Sequence, residues 1–153
     1  MISLMNHDLE LAKLNLIEKD LSLVIVKKGK VIFETKKAGI SGFLQAIETL
    51  DKNLVASAVA DKIVGVAAAM LCVYSGVSSV FAQTISAEGI RALEANNIEY
   101  LFEKKVSNIL NRNKNDVCPF EKLAIASGNA EDAYVQLNSL ARQMMSKSTK
   151  TGC

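Results

Sequence analysis

Asp61 and Lys62 stand side by side in an otherwise apolar run, Ala58-Val59-Ala60-Asp61-Lys62-Ile63-Val64-Gly65-Val66-Ala67-Ala68-Ala69-Met70. An acid and a base with core-type residues on both sides place an acceptor and a cation where a folded chain is usually dry. Read as a strand running into a helix that starts at Asp61, the segment predicts a ligand site at the helix N-terminus. There the first backbone N–H groups lack helical partners and favour a phosphate or carboxylate. Lys62 would add a point charge to the same anion. Gly65, one turn in, would remove a side chain where a ligand or a neighbouring helix approaches. Asp61 would bond a ribose hydroxyl or accept a covalent modification. The plainer alternative has Asp61 capping the helix, Lys62 extending outward and Gly65 permitting close packing. A cap accounts for Asp61 but not for Lys62, because the dipole at a helix start disfavours a cation.

A second group is Cys118-Pro119-Phe120-Glu121. Pro119 suits the first helical position and so puts Cys118 at the N-cap, where the dipole lowers a thiol pKa. Glu121 would then complete a capping-box-like pair. Cys118 reads either as a reactive thiolate or as a buried, inert cysteine. The one histidine, His7, falls in the first helix, so a Cys–His catalytic pair is absent from the pattern. Ser41, between Gly39 and Gly42, is a candidate N-cap at another helix start. The candidate ligand-binding set is therefore Ser41, Asp61, Lys62, Gly65, Cys118 and Glu121. The Asn111–Asn115 stretch would either close over a bound anion or form an ordinary polar surface loop.

The elements that must position these residues follow from periodicity. Leu4, Leu11, Leu14 and Ile17 predict an amphipathic first helix ending near Glu18. Residues 21–26 and 31–35 predict a hairpin around Lys28-Gly29-Lys30. A helix capped by Ser41 buries Phe43, Leu44, Ile47 and Leu50. Residues 54–60 predict a central strand, and a helix from Asp61 to Tyr74 stops at Gly76. Strand 77–85, a helix capped by Ser86, and strand 98–102 come next. A short helix at Cys118-Pro119 and a final helix capped by Asn129 complete the chain. This order predicts a three-layer α/β/α sandwich with a mixed five-stranded sheet.

Composition sets outer limits. The chain has 153 residues, half of them hydrophobic, and a formal charge of +2. That suits a single domain over residues 1–146 with a polar, disordered tail at 147–153. Acids and bases are mixed along the chain; the lysine clusters at 27–30 and 36–37 flank strands, and no basic stripe marks a nucleic-acid partner. The apolar stretch from Ile63 to Val73 is too short for a membrane span of about 20 residues. With no basic leader segment, a cytoplasmic location is expected. Cys72, Cys118 and Cys153 are odd in number and widely spaced, which predicts reduced thiols.

The order helix–hairpin–helix–strand–helix–strand–helix–strand resembles the cytidine deaminase-like fold. The Val59–Ala68 run, paired with Cys118-Pro119-Phe120-Glu121-Lys122, is similar to the two signature segments of an uncharacterised bacterial and archaeal family assigned that fold. The family carries no established activity. Deaminase chemistry has specific needs: a His or Cys closely followed by Glu at one helix start, and Pro-Cys-x-x-Cys at another. Neither is present, so a zinc-activated hydroxide has no ligands, and zinc-dependent deamination is not expected.

The leading expectation is therefore a module that binds a nucleotide-like or phosphorylated ligand, such as a nucleotide or an ADP-ribose-like compound, at Asp61–Lys62. An enzyme of unrecorded activity using Asp61, Lys62 and Cys118 with Glu121 is the alternative. A third reading is a structural or partner-binding protein, a homo-oligomer formed through the first and last helices included.

Overall fold

Leu9, Ala12 and Leu16 recur at helical spacing and are buried, forming the inner face of α1 (Leu4–Glu18). A hairpin follows, β1 (Leu23–Lys27) and β2 (Lys30–Thr35), turning at Lys28 and Gly29. Both turn residues have positive φ, 52° and 76°, the mirror-image geometry that matches strand twist. Asp8 on α1 fastens this turn: its carboxylate accepts the N–H groups of Lys28 at 3.0 Å and Gly29 at 2.8 Å.

Helix α2 (Ile40–Leu50) and a short 3-10 turn (Asp51–Leu54) lead to β3 (Ala58–Val64). Then come α3 (Val66–Ser75), β4 (Ser79–Ser86), α4 (Ala87–Ala95) and β5 (Glu99–Val106). Helices α5 (Pro119–Ala126) and α6 (Ala130–Ser146) are the last two described elements. The computed structural model describes residues 4–146, with side chains from His7 to Met145; the tail expected at 147–153, with Cys153, lies outside them.

The sheet order is β2-β1-β3-β4-β5. β1 runs antiparallel to both β2 and β3, while β3, β4 and β5 run parallel, linked by the α3 and α4 crossovers. The expected mixed five-stranded sheet with helices on both sides is present, and its two helical layers are unequal. Among the described residues α1 alone covers one face, packing on Val24, Val26, Ala58, Ala60 and Phe81. Helices α2 to α6 contribute to the other core, where Phe43, Leu71, Leu93 and Leu137 are fully or almost fully buried. α3 is the most enclosed helix, and its Tyr74 stacks on Tyr134 of α6 with ring centres 4.2 Å apart.

Several local signals sit where the sequence puts them. Gly76 ends α3 in the left-handed region at φ 74°. Ser86 Oγ accepts the Gly89 N–H at 2.9 Å, and Asn129 Oδ1 accepts the Asp132 N–H at 2.8 Å. Pro119 opens α5 behind Cys118.

Three expectations are corrected. The strand expected at 54–60 runs instead from Ala58 to Val64, and α3 begins at Val66 rather than Asp61. Pairing with β4, Ile63 to Thr84 and Val64 to Ile85, keeps these residues extended. Ser41 does not cap α2: Gly39, at φ 77°, is the N-cap, and Ser41 lies inside the first turn. β5 continues to Val106, beyond the expected end at Phe102, because β4 offers partners as far as Ser86.

Candidate functional site

The start of α3 already holds an anion, supplied by the chain itself. Glu121 reaches across from α5: Oε1 accepts the Val66 N–H at 2.7 Å, and Oε2 accepts the Ala67 N–H at 2.6 Å. Its residue is 5% exposed. Two charge-assisted bonds and a favourable dipole hold the carboxylate there. Burial raises the Glu121 pKa, and the two N–H donors work against that rise.

Gly65 makes this contact possible. A Cβ at position 65 would run into the Glu121 carboxylate, and it would lie 2.7 Å from Cγ1 of Ile109. The two segments singled out in the sequence therefore meet in space, through Gly65 and Val66 on one side and Glu121 on the other. The capping box expected within α5 is replaced by this longer reach.

Asp61 and Lys62 part company for a geometric reason. Successive side chains on a strand point to opposite faces of the sheet. Asp61 pairs with Leu23 and lies on the face covered by α3, where its charge helps push the buried Cys72 thiol up, after burial itself. Lys62 goes the other way, and its Nζ lies 3.3 Å from Asp20 Oδ1 just past the end of α1. Burial pushes the Asp61 carboxyl up to about 7, opposed by the backbone N–H groups of Ile63 and Lys62. The bond from Ile63 N–H to Asp61 Oδ1 is 3.3 Å long, a weak interaction for a carboxylate.

A pocket of about 70 Å³ opens beside this carboxylate, room for several waters or part of a small ligand. Asp61, Gly65 and Glu121 line it, with Ile40, Ile109 and Phe120 as apolar walls. It exists because β3 outruns β1: the last β1 partner is Leu23, opposite Asp61. Beyond that point, on the side away from β4, Ser22 and the Ala38–Ile40 approach to α2 line the opening. The position is the carboxyl end of a parallel strand, where open α/β sheets gather ligands.

Of the six candidate residues, Asp61, Lys62, Gly65 and Glu121 line this pocket, and Ser41 and Cys118 do not. Cys118 is fully buried and disulfide-bonded, so the reduced thiol expected there is not found, and of its two readings the buried, inert cysteine at the N-cap is the one that fits. Cys72 is the free cysteine among the described residues. The loop at 111–115 closes on itself: Asn111 Nδ2 donates to Asn115 Oδ1 at 2.8 Å, and Leu110 bridges Val117. None of its residues lines the pocket; Ile109, just before it, does. Ser22, Ile40 and Ile109 carry no sequence signal, whereas Phe120 sits inside a motif and was legible as its neighbour. Among the described residues no three His, Cys, Asp or Glu side chains converge as a metal site. His7 is exposed on α1.

A family match spans residues 11–140. The chain belongs to the TM1506 family, a domain of unknown function (DUF1893). The fold agrees with the crystal structure of a DUF1893 family protein, TM1506 from Thermotoga maritima, at 2.70 Å resolution. The TM-score is 0.81 at 27% identity, over 91% of this chain and 92% of that one. Acinetobacter baumannii RibD is similar at a lower level in two forms. Form 1 gives a TM-score of 0.47 at 21% identity, over 65% of this chain and 33% of that one. Form 2 gives 0.44 at 19%, over 93% and 39%. No curated protein matches the sequence. Among the described residues no helix is long and apolar enough to cross a membrane.

Proposed function

We propose that this protein is a binding module for a small nucleotide-like ligand seated beside Asp61. The observation that carries the reading is the Asp61 carboxyl itself. It lines a pocket as a half-buried residue, is met within the protein by the backbone N–H groups of Ile63, at 3.3 Å, and Lys62, and is still pushed up to about 7 by desolvation. A ligand hydroxyl or ring N–H donated to Asp61 would offset that desolvation.

The Glu121 clamp changes where a phosphate would go. The α3 start is occupied, so an anionic group is directed to the rim, where Lys62 lies and where the exposed Lys36 and Lys37 precede Ala38. The ligand orientation that fits is a base or ribose inside and phosphate outside.

Calorimetry with nucleosides, nucleotides and inorganic phosphate tests this. Nucleosides should bind, nucleotides should bind more tightly, and phosphate alone should not. Asp61→Asn should remove binding of both classes. A panel without any heat at millimolar ligand, or binding indifferent to Asp61→Asn, would sink the proposal.

One observation favours a second reading, an enzyme. A carboxyl titrating near 7 is poised as a general base. Turnover of a bound nucleoside, lost in Asp61→Asn with binding retained, would select it.

A further inference from the structure

We infer that β5 pairs with β5 of a second copy of this chain, joining two five-stranded sheets into one continuous sheet across a two-fold axis at Phe102. The two edges of the sheet are built differently. β2 is six residues long, its register with β1 shifts at Ile25–Val26, and Lys30, Lys36 and Lys37 flank it. An irregular register is one of the usual protections of an edge that must stay unpaired, whereas lysines stand on both edges, Lys30 on β2 and Lys104 and Lys105 on β5. β5 is eight residues long and free of Pro and Gly, and its pairing with β4 runs from Ser79–Glu99 to Ser86–Val106. Leu101 is 53% exposed and Phe102 is 41% exposed on this edge.

The charge pattern of β5 is self-complementary in one register. In an antiparallel two-fold pairing centred on Phe102, Glu99 stands opposite Lys105 of the second copy, and Lys105 stands opposite its Glu99. Tyr100 faces Lys104, Leu101 faces Glu103, and Phe102 meets its own copy. Tyr100 and Phe102 already stack within one chain, with ring centres 6.3 Å apart, so the axis would gather four rings on one face. Lys104 would lie over Tyr100. Neighbouring registers fail on charge. Centring on Leu101 sets Glu99 against Glu103, centring on Glu103 sets that residue against itself, and centring on Lys104 opposes two lysines. Among the centres from Leu101 to Lys104, Phe102 alone removes every directly opposed like charge.

Sedimentation velocity of the full chain over a concentration series tests the pairing. A reversible monomer–dimer equilibrium is expected. Lys105→Glu converts both end pairs to Glu–Glu and should weaken dimerisation roughly tenfold. Phe102→Glu should weaken it as well. The charge-swapped double variant, Glu99→Lys with Lys105→Glu, should recover the wild-type constant. All these side chains are exposed or half-buried, and circular dichroism checks that each variant folds. A wild-type chain that stays monomeric throughout the series overturns the inference. A dimer unmoved by Lys105→Glu and Phe102→Glu does so too, since it would use another surface. A loss that the double swap leaves unrecovered rules out the Phe102 register.

Discussion

Gly65 leaves the space into which the Glu121 carboxylate fits. A Cβ at position 65 would occupy the place of the Oε1 that accepts the Val66 N–H at 2.7 Å. The glycine and the glutamate, 56 positions apart in the chain (121 minus 65), form one structural unit that ties α5 to the start of α3. It also sets the floor of the pocket beside Asp61 and keeps free anions from the most attractive N–H groups nearby.

Glu121→Ala should destabilise the fold by about 3 kcal/mol, because two buried N–H groups lose charged acceptors. Glu121→Gln keeps one good acceptor and should cost about half as much. Urea unfolding with an unchanged m-value measures both. Equal stability of all three proteins would show that water replaces the carboxylate without loss.

Gly65→Ala should cost about 2 kcal/mol or more through overpacking against Glu121 and Ile109. For a chain of this size that corresponds to a fall in Tm of about 5 °C. Combined with Glu121→Ala, the two losses should sum to less than their separate values, since each removes the other's obstacle. Strict additivity in the double-mutant cycle would deny that the residues interact.

Asp61 gives a pH signature with a defined sign. Its folded pKa, about 7, lies above the ordinary 3.8. The stability tied to the neutral carboxyl is therefore fully present below pH 3.8 and is lost as the pH rises through about 7. Asp61→Asn should flatten the stability profile across that window. In the binding reading, a ligand donating to the carboxylate should bind more tightly as the pH rises through the same window. An unchanged slope in the variant would place the titration elsewhere.

Lys62→Ala should alter stability by less than about 0.5 kcal/mol, since the Lys62–Asp20 pair is solvent-exposed. Its effect should appear in binding. Nucleotides should lose the advantage they hold over nucleosides, while nucleoside affinity stays put. A drop in nucleoside affinity would put the ammonium inside the pocket rather than at the rim.

Asp8→Ala should cost about 1–2 kcal/mol, because it strips two N–H groups of the hairpin turn of their acceptor. Asp8 is buried, and its partners lie 20 and 21 positions away. Amide exchange should accelerate first at Lys28 and Gly29. Protection there equal to wild type would show that the turn holds without α1.

Signals that act within a few residues could be read directly from the chain. Pro119 opens a helix, Gly76 closes one, and Ser86 and Asn129 cap two more, because each needs only its immediate backbone neighbours. Alternation and helical spacing gave the element order and hence the layered α/β architecture. The sequence also lacks a deaminase zinc motif. What it left open was decided by partners far away. Pairing with β4 holds residues 61–64 in a strand and moves the start of α3 from the expected Asp61 to Val66. Once Asp61 and Lys62 are strand neighbours, the pleat sends them to opposite faces: one into a pocket under α3, the other to Asp20 by α1. Glu121 looks like a capping residue of its own helix, yet it serves another one, because packing brings α5 against α3 and sets its carboxylate within hydrogen-bond reach of the Val66 and Ala67 N–H groups. The sequence by itself determined which residues carry charge amid the core. Tertiary structure decided which of them share a site, since strand pairing and helix packing are set by contacts that no short window of residues contains.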